Sequence, residues 1–141
     1  MTGHSFSCIR GGLTIRGVYT VPGDDQSGGR QYPAVILSHG FGGCQEEMAG
    51  FAALFDSMGY ATFRYDFCGG AQDGISDGEK KDMLLTTEKA DLCAVIGYAL
   101  ILQALKRIPS ISTRLSGLET KRLPLCICFH TGILMKARLS M

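Results

Sequence analysis

The sequence feature that most constrains the fold is residues 32–43, YPAVILSHGFGG. Residues 34–37 form a short apolar run with two β-branched side chains, opened by Pro33, and this pattern predicts a buried strand. Three of the four positions 40–43 are glycines, which tolerate positive φ and let the main chain approach a ligand closely. A helical pattern begins near Glu46. The order strand, glycine loop, helix therefore directs backbone N–H groups at an incoming negative charge.

Strand and helix patterns alternate on both sides of this stretch. Residues 5–10 and 13–21 are predicted to be two strands joined by Gly11-Gly12, a common hairpin signal. The later pattern predicts a helix at residues 47–58 ended by Gly59, a strand at residues 60–67, and a helix that starts at Thr86 or Thr87. This alternation is typical of an α/β fold whose parallel strands are linked by right-handed crossovers.

The character of the chain changes near residue 100. Residues 1–100 hold 7 Lys and Arg against 12 Asp and Glu, net −5, whereas residues 101–141 hold 7 against 1, net +6. Of the 19 glycines, 17 precede residue 100. We therefore interpret residues 1–100 as the N-terminal part of one domain and residues 101–141 as an atypical, irregular basic tail. A weak strand pattern at residues 123–129 contains Pro124, which disfavours it. The coincident changes lead to the hypothesis of a reading-frame shift or gene truncation.

Composition excludes several classes of function. The net charge of +1 argues against a nucleic-acid partner. The first residues lack the apolar core of a signal peptide, and the apolar run at residues 123–135 is too short to span a bilayer, so we expect a cytoplasmic protein without membrane association. The six cysteines have no framework spacing and are expected to be reduced thiols. Cys126-x-Cys128 is too weak a pattern to predict a metal, and no cofactor is expected.

Four segments, in order, resemble one family: PAVILSHGFGG, ATFRYDFCGG, SDG and TEKADLCAVIGYA. Residues 5–100 resemble the N-terminal portion of the α/β-hydrolase fold, and within it the small bacterial serine hydrolases of the cinnamoyl/feruloyl-esterase and serine-aminopeptidase-like groups. The resemblance implies a partial α/β-hydrolase sheet, an N-terminal hairpin followed by two β-α units. In intact relatives it implies a small-molecule ester or amide substrate.

The resemblance also assigns roles to particular residues. The loop that follows the third strand is implied to form the oxyanion hole, with the Phe41 N–H as one of two donors; its members are His39, Gly40, Phe41 and Gly42. The alternative is an ordinary tight turn around a buried phenylalanine. Asp66 is implied to brace the active-site loops, and with Arg64 it could equally be a structural ion pair at a strand end. Residues 76–78 are implied to set loop geometry.

No catalytic residue is predicted. The family nucleophile is a serine in a G-x-S-x-G elbow that follows the next strand. We expect this chain to lack such an elbow, because Ser38, Ser76 and Ser116 are each interpreted as lacking that context. Among the histidines, His39 belongs to the glycine loop and His130 lies on an apolar run, so neither is predicted to be a general base. We expect a member of an ester-hydrolase family that lacks its nucleophile and shows no turnover alone.

The missing elbow strand has a structural consequence. Without it, the strand at residues 34–37 is expected to be an open apolar edge, and such edges invite self-association. An alternative interpretation is a non-catalytic, partial α/β scaffold with a basic interaction tail. The tail bases occur singly or in pairs rather than in a stripe, which weakens that interpretation.

Overall fold

The computed structural model describes residues 3–24, 32–70, 73–105, 126–130 and 133–137. The strands are β1 (Gly3–Arg10), β2 (Leu13–Thr20), β3 (Ala34–Ser38), β4 (Ala61–Tyr65), β5 (Cys126–His130) and β6 (Ile133–Ala137). The helices are α1 (Ala49–Ser57) and α2 (Leu85–Leu105), and short 3₁₀ turns lie at Pro22–Asp24, Gln45–Met48 and Lys80–Asp82.

The described strands form one mixed sheet in the order β1-β2-β4-β3-β5-β6. β3 runs parallel to both β4 and β5, whereas β2 is antiparallel to β4 and the pairs β1–β2 and β5–β6 are antiparallel. The predicted α/β class is confirmed, because an N-terminal hairpin precedes the two units β3–α1 and β4–α2.

The hairpin forms because its turn residues can adopt the backbone that a two-residue connection requires. Gly11 and Gly12 have φ values of 58° and 83°, and two successive positive φ values match the right-handed twist of the flanking strands. The strands then pair in register from Gly3↔Thr20 to Arg10↔Leu13. The fully buried Ile15 on β2 joins the hairpin to the core.

The core lies on both faces of β3, whose five residues are all buried. Ile36 packs in one cluster with Val95 of α2, and Val35 and Leu37 pack in a second cluster with Met48 and Ala52 on the α1 side. Alternate β3 side chains therefore meet different helices, as expected for a parallel strand covered on both faces. Because helices cover both faces of β3, the strand is held in place, and the glycine loop begins where it ends at Ser38.

Helix α1 confirms the predicted helix and its stop, since the Gly59 N–H donates to the Asp56 carbonyl just past the helix end. Only part of its apolar surface is buried against the sheet. Ala52 is buried, whereas Phe51, Leu54 and Met58 are 43–60% exposed. No described helix is both long enough and apolar enough to cross a membrane.

The expectation that β3 would be an open edge is wrong. β5 pairs with it in parallel from Ala34↔Cys126 to Ser38↔His130, so the outer strands of the described sheet are β1 and β6. The tail that was predicted to be irregular contributes both β5, which overlaps the weak strand pattern at residues 123–129, and β6. Self-association through a sheet edge stays a prediction and now concerns β1 or β6.

Candidate functional site

The glycine loop connects β3 to the 3₁₀ turn Gln45–Met48 that leads into α1. The Gly43 N–H donates to the Gly40 carbonyl at 3.0 Å, which closes a four-residue turn, and Gly42 at its third position has φ of 74°. That positive φ explains the glycine, since a type II turn requires it there. The Phe41 N–H makes no hydrogen bond to any residue that the structure describes. The Phe41 side chain is 70% exposed, which contradicts the alternative of a turn around a buried phenylalanine.

His39 anchors the start of this loop. Its ring is fully buried, and its Nε2 accepts a hydrogen bond from the Phe67 N–H at 3.1 Å. Because Nε2 is an acceptor, the proton of the neutral ring lies on Nδ1, which donates to the Gly40 carbonyl at 2.8 Å. Asp66 Oδ1 is 3.9 Å from Nε2, but in this tautomer no proton points at it. Both ring nitrogens are thus used to hold the loop against the end of β4, and His39 is unsuited to act as a base.

Asp66 connects the glycine loop to a second loop. Its buried carboxylate accepts hydrogen bonds from the Gln45 N–H to Oδ1 at 2.6 Å and from the Ile75 N–H to Oδ2 at 2.8 Å. Its own N–H donates to the Arg16 carbonyl at 3.1 Å. One side chain therefore fixes the first turn before α1 relative to the loop at residues 73–79.

Arg64 and Asp66 do not form the expected ion pair with each other within the described part of the chain. Arg64 Nη1 lies 2.8 Å from Glu46 Oε2, at the 3₁₀ turn that follows the glycine loop. The reason is that β4 ends at Tyr65, so Asp66 leaves the strand and turns its carboxylate toward main-chain N–H groups. Arg64 therefore supports the loop from one side and Asp66 from the other.

The expectation that the chain lacks a G-x-S-x-G sequence is wrong, because residues 74–78 read Gly-Ile-Ser-Asp-Gly around Ser76. An elbow serine sits on a strand-to-helix turn and presents its hydroxyl to a base. Ser76 instead lies in the loop between β4 and the 3₁₀ turn Lys80–Asp82. Its Oγ accepts from the Arg16 N–H at 2.8 Å and donates to the Asp66 carbonyl at 2.6 Å. Two backbone groups thus occupy the hydroxyl, which makes Ser76 an anchor of this loop.

The neighbouring Asp77 contacts two residues of β2, Thr14 and Arg16. Its Oδ2 accepts from the Thr14 N–H at 3.0 Å, and its Oδ1 lies 2.6 Å from Arg16 Nη1. The Arg16 guanidinium and the Thr14 N–H together lower the pKa of the Asp77 carboxyl. Beyond the end of β4, the loop at residues 75–78 thereby supplies hydrogen-bond partners to β2.

A second buried carboxylate, Asp91 on α2, ties the helix to the sheet. Its Oδ1 lies 2.6 Å from Arg10 Nε, and its Oδ2 accepts from the Cys68 N–H at 2.9 Å. Burial first, and then the negative charge of Asp91, raise the pKa of the Cys68 thiol to about 11. Cys68 is therefore a protonated, unreactive thiol at neutral pH.

Of the histidines other than His39, His4 alone has a described side chain, and it lies away from the glycine loop. His4 stacks on Tyr19 with ring centroids 5.1 Å apart, at the β1–β2 hairpin. The backbone of His130 lies opposite Ser38 in the β3–β5 register, and its side chain, like those of Cys126 and Cys128, is outside the described part. Across the described residues, no group of three His, Cys, Asp or Glu side chains could hold a metal ion.

Sequence reasoning missed Lys80. Its Nζ lies 5.9 Å from the centroid of the Phe41 ring and so reaches the glycine loop from a segment 39 positions later in the chain. No local pattern distinguishes Lys80 from Lys81 beside it, so only the three-dimensional arrangement could identify it.

With this geometry established, comparison with known proteins identifies the family. A family model described as acyl transferase matches residues 4–121. The uncharacterized protein YcjY of Escherichia coli strain K12 is 36% identical over 85 residues, which cover 57% of this chain and 26% of YcjY. The chain spans about a quarter of the length of the curated relatives that it matches.

Solved structures agree on the fold. Est1E from Butyrivibrio proteoclasticus, with bound ferulic acid, is 26% identical with a TM-score of 0.58, over 67% of this chain and 36% of Est1E. The α/β hydrolase GrgF from Penicillium sp. sh18 is 24% identical with a TM-score of 0.60, over 70% of this chain and 32% of GrgF. The predicted partial α/β-hydrolase sheet is thereby confirmed.

Proposed function

The chain belongs to the acyl transferase family, and from that premise we propose that its glycine loop is one side of an acyl-transfer site for small carboxylic esters. In such a reaction a nucleophile attacks the ester carbonyl, and the carbonyl oxygen becomes an oxyanion that needs hydrogen-bond donors. One donor typically comes from the loop after β3, and the other from the residue after the nucleophile.

The observation that carries the proposal is the Phe41 N–H, which has no hydrogen-bond partner among the described residues although its loop is held from both ends. His39 fixes the loop at its start, and Asp66 fixes the Gln45 N–H at its end. A donor must be fixed before reaction to stabilise a developing charge without reorganisation, and its loss typically costs about 3 kcal/mol of transition-state stabilisation.

We propose further that these 141 residues do not turn over substrate by themselves. Ser76, at the centre of the only G-x-S-x-G letters in the sequence, uses its hydroxyl on two backbone groups. Ser76 is therefore not the nucleophile in this proposal, which treats the chain as a truncated form of the family whose serine nucleophile and base are supplied elsewhere. The ferulic acid bound to Est1E favours carboxylic esters of the cinnamoyl or feruloyl kind as the substrate class.

The proposal is tested by moving the loop into Est1E. Residues 38–43 of this chain replace the matching loop of Est1E, and hydrolysis of methyl ferulate is measured. We expect the graft to retain activity within about tenfold, whereas the graft with Phe41→Pro, which lacks the N–H, loses about 10²–10³-fold in kcat. Phe41→Ala is the matched control, since it removes the ring and keeps the N–H. A folded but inactive graft, or equal activity of the Pro and Ala variants, would contradict the proposed role.

A further inference from the structure

Lys80 brings a positive charge to the glycine loop from a part of the chain that the proposed function leaves unused. Its Nζ is 5.9 Å from the centroid of the Phe41 ring and 3.8 Å from the position that a Cβ on Gly42 would occupy. The ammonium therefore lies beside the same turn that holds the Phe41 N–H. A cation over a phenyl face is favourably placed at this distance, which holds the flexible side chain near the loop.

The two adjacent lysines differ in their partners. Lys81 Nζ lies 2.7 Å from Glu79 Oε2, so its charge is compensated by that exposed ion pair. Lys80 makes no ion pair with any carboxylate that the structure describes. Its charge is therefore available to a ligand at the loop, whereas that of Lys81 is not.

Charges flank the loop asymmetrically. A Cβ on Gly43 would lie 2.6 Å from Glu47 Oε2, so a carboxylate rests against the Gly43 side. The ammonium of Lys80 lies on the Gly42 side. Because like charges repel and opposite charges attract over a few ångströms, an anionic group near this loop is directed toward Lys80 and away from Glu47.

We propose that Lys80 is a specificity-determining residue, which selects acyl substrates that carry a carboxylate or phosphate group away from the reacting carbonyl. This inference rests on the proposed function, since it assumes that the substrate lies against the glycine loop. The ammonium sits at the exposed rim above Phe41, so it binds the ground state and the transition state alike and governs affinity rather than the rate of bond breaking.

The test is a titration of the ¹⁵N-labelled 141-residue chain with three ligands. Methyl 4-carboxycinnamate carries a carboxylate away from its ester carbonyl, phenyl phosphate carries a phosphate group, and methyl ferulate is a neutral ester. We expect methyl 4-carboxycinnamate or phenyl phosphate to shift the Gly42 amide resonance saturably, and methyl ferulate to bind at least about fivefold more weakly. Salt at 0.5 M should abolish most of the difference, since partly exposed charges are screened.

Lys80→Gln and Lys81→Gln form a matched pair, because each removes one positive charge from the same 3₁₀ turn. Lys80→Gln should weaken binding of the anions about fivefold, and Lys81→Gln should leave it within about twofold. Equal effects of the two substitutions, equal binding of methyl ferulate, or no saturable shift with either anion would overturn the inference. The Est1E graft carries only residues 38–43 and lacks Lys80, so its failure refutes the proposed function, whereas failure of this titration alone refutes only the role of Lys80.

Discussion

Replacing Asp66 by alanine tests how the glycine loop is held. The substitution removes the acceptor of the Gln45 N–H and of the Ile75 N–H, which lie in two different loops. Asp66 is 1% exposed, so water does not readily replace its carboxylate. Both N–H groups are left without a partner unless the loops move.

The magnitude follows from those two groups. An unsatisfied buried donor costs about 1–3 kcal/mol, so Asp66→Ala should lower the free energy of unfolding by about 2–6 kcal/mol. Domains of this size are stable by about 5–15 kcal/mol, so the loss is a large fraction of the total. Asp66→Asn keeps one acceptor oxygen and should cost about half as much.

Urea unfolding followed by circular dichroism measures the loss as a shift of the midpoint at constant slope. Asp56→Ala is the control for loss of a carboxylate, since Asp56 Oδ1 is buried and has no hydrogen-bond partner in the described structure, and its removal should not lower stability. Amide hydrogen exchange in Asp66→Asn adds a local measurement, with faster exchange expected at Gln45 or Ile75. Equal midpoint shifts for Asp66→Ala and Asp56→Ala would refute the reasoning.

Three further predictions concern the loop at residues 73–79 and the thiol of Cys68. Ser76→Ala should lower stability by about 1–3 kcal/mol in the same urea assay, because the Arg16 N–H loses its acceptor; an unchanged midpoint would show that the hydroxyl is not a loop anchor. The pKa of Cys68 is raised in the folded state to about 11 from its ordinary value of 9.0, so the folded state holds this proton more tightly. The associated stability is therefore present below pH 9 and is lost as pH rises toward 11, and Cys68→Ala should flatten the fall of the urea midpoint over that range. At pH 8, iodoacetamide should modify the exposed Cys93 well before Cys68, and the reverse order would contradict the burial of Cys68.

The elements predicted well from sequence are those fixed by neighbours in the chain. The β-branched run of β3, the Gly11-Gly12 hairpin and the stop at Gly59 each depend on a few consecutive residues. The turn of the glycine loop depends on neighbours in the same way, because one short glycine pattern sets the turn closed by Gly40 and Gly43, whereas the role of this loop as an oxyanion hole stays a prediction. Local chemistry was sufficient in all of these places.

The features that sequence reasoning missed or misassigned depend on distant partners. The Ser76 Oγ accepts a hydrogen bond from the Arg16 N–H of β2, 60 positions earlier in the chain. The G-x-S-x-G sequence alone does not distinguish a loop-anchoring serine from a nucleophile, whereas this contact does. Arg64 pairs with Glu46 because β4 ends at Tyr65, one residue before Asp66, whereas the sequence pattern predicted a strand that continues to residue 67. The pairing of β3 with β5 likewise joins segments about 90 residues apart.

The most direct test of the central claim is whether any serine of this chain is an activated nucleophile. The purified 141-residue protein is incubated with a fluorophosphonate probe, digested and analysed by mass spectrometry, with Est1E as the positive control and Ser76→Ala as the matched variant. We expect no stoichiometric labelling and no hydrolysis of a short-chain chromogenic ester, since the Ser76 hydroxyl is held by the Arg16 N–H and the Asp66 carbonyl. Stoichiometric labelling of Ser76, lost in Ser76→Ala, would contradict the account.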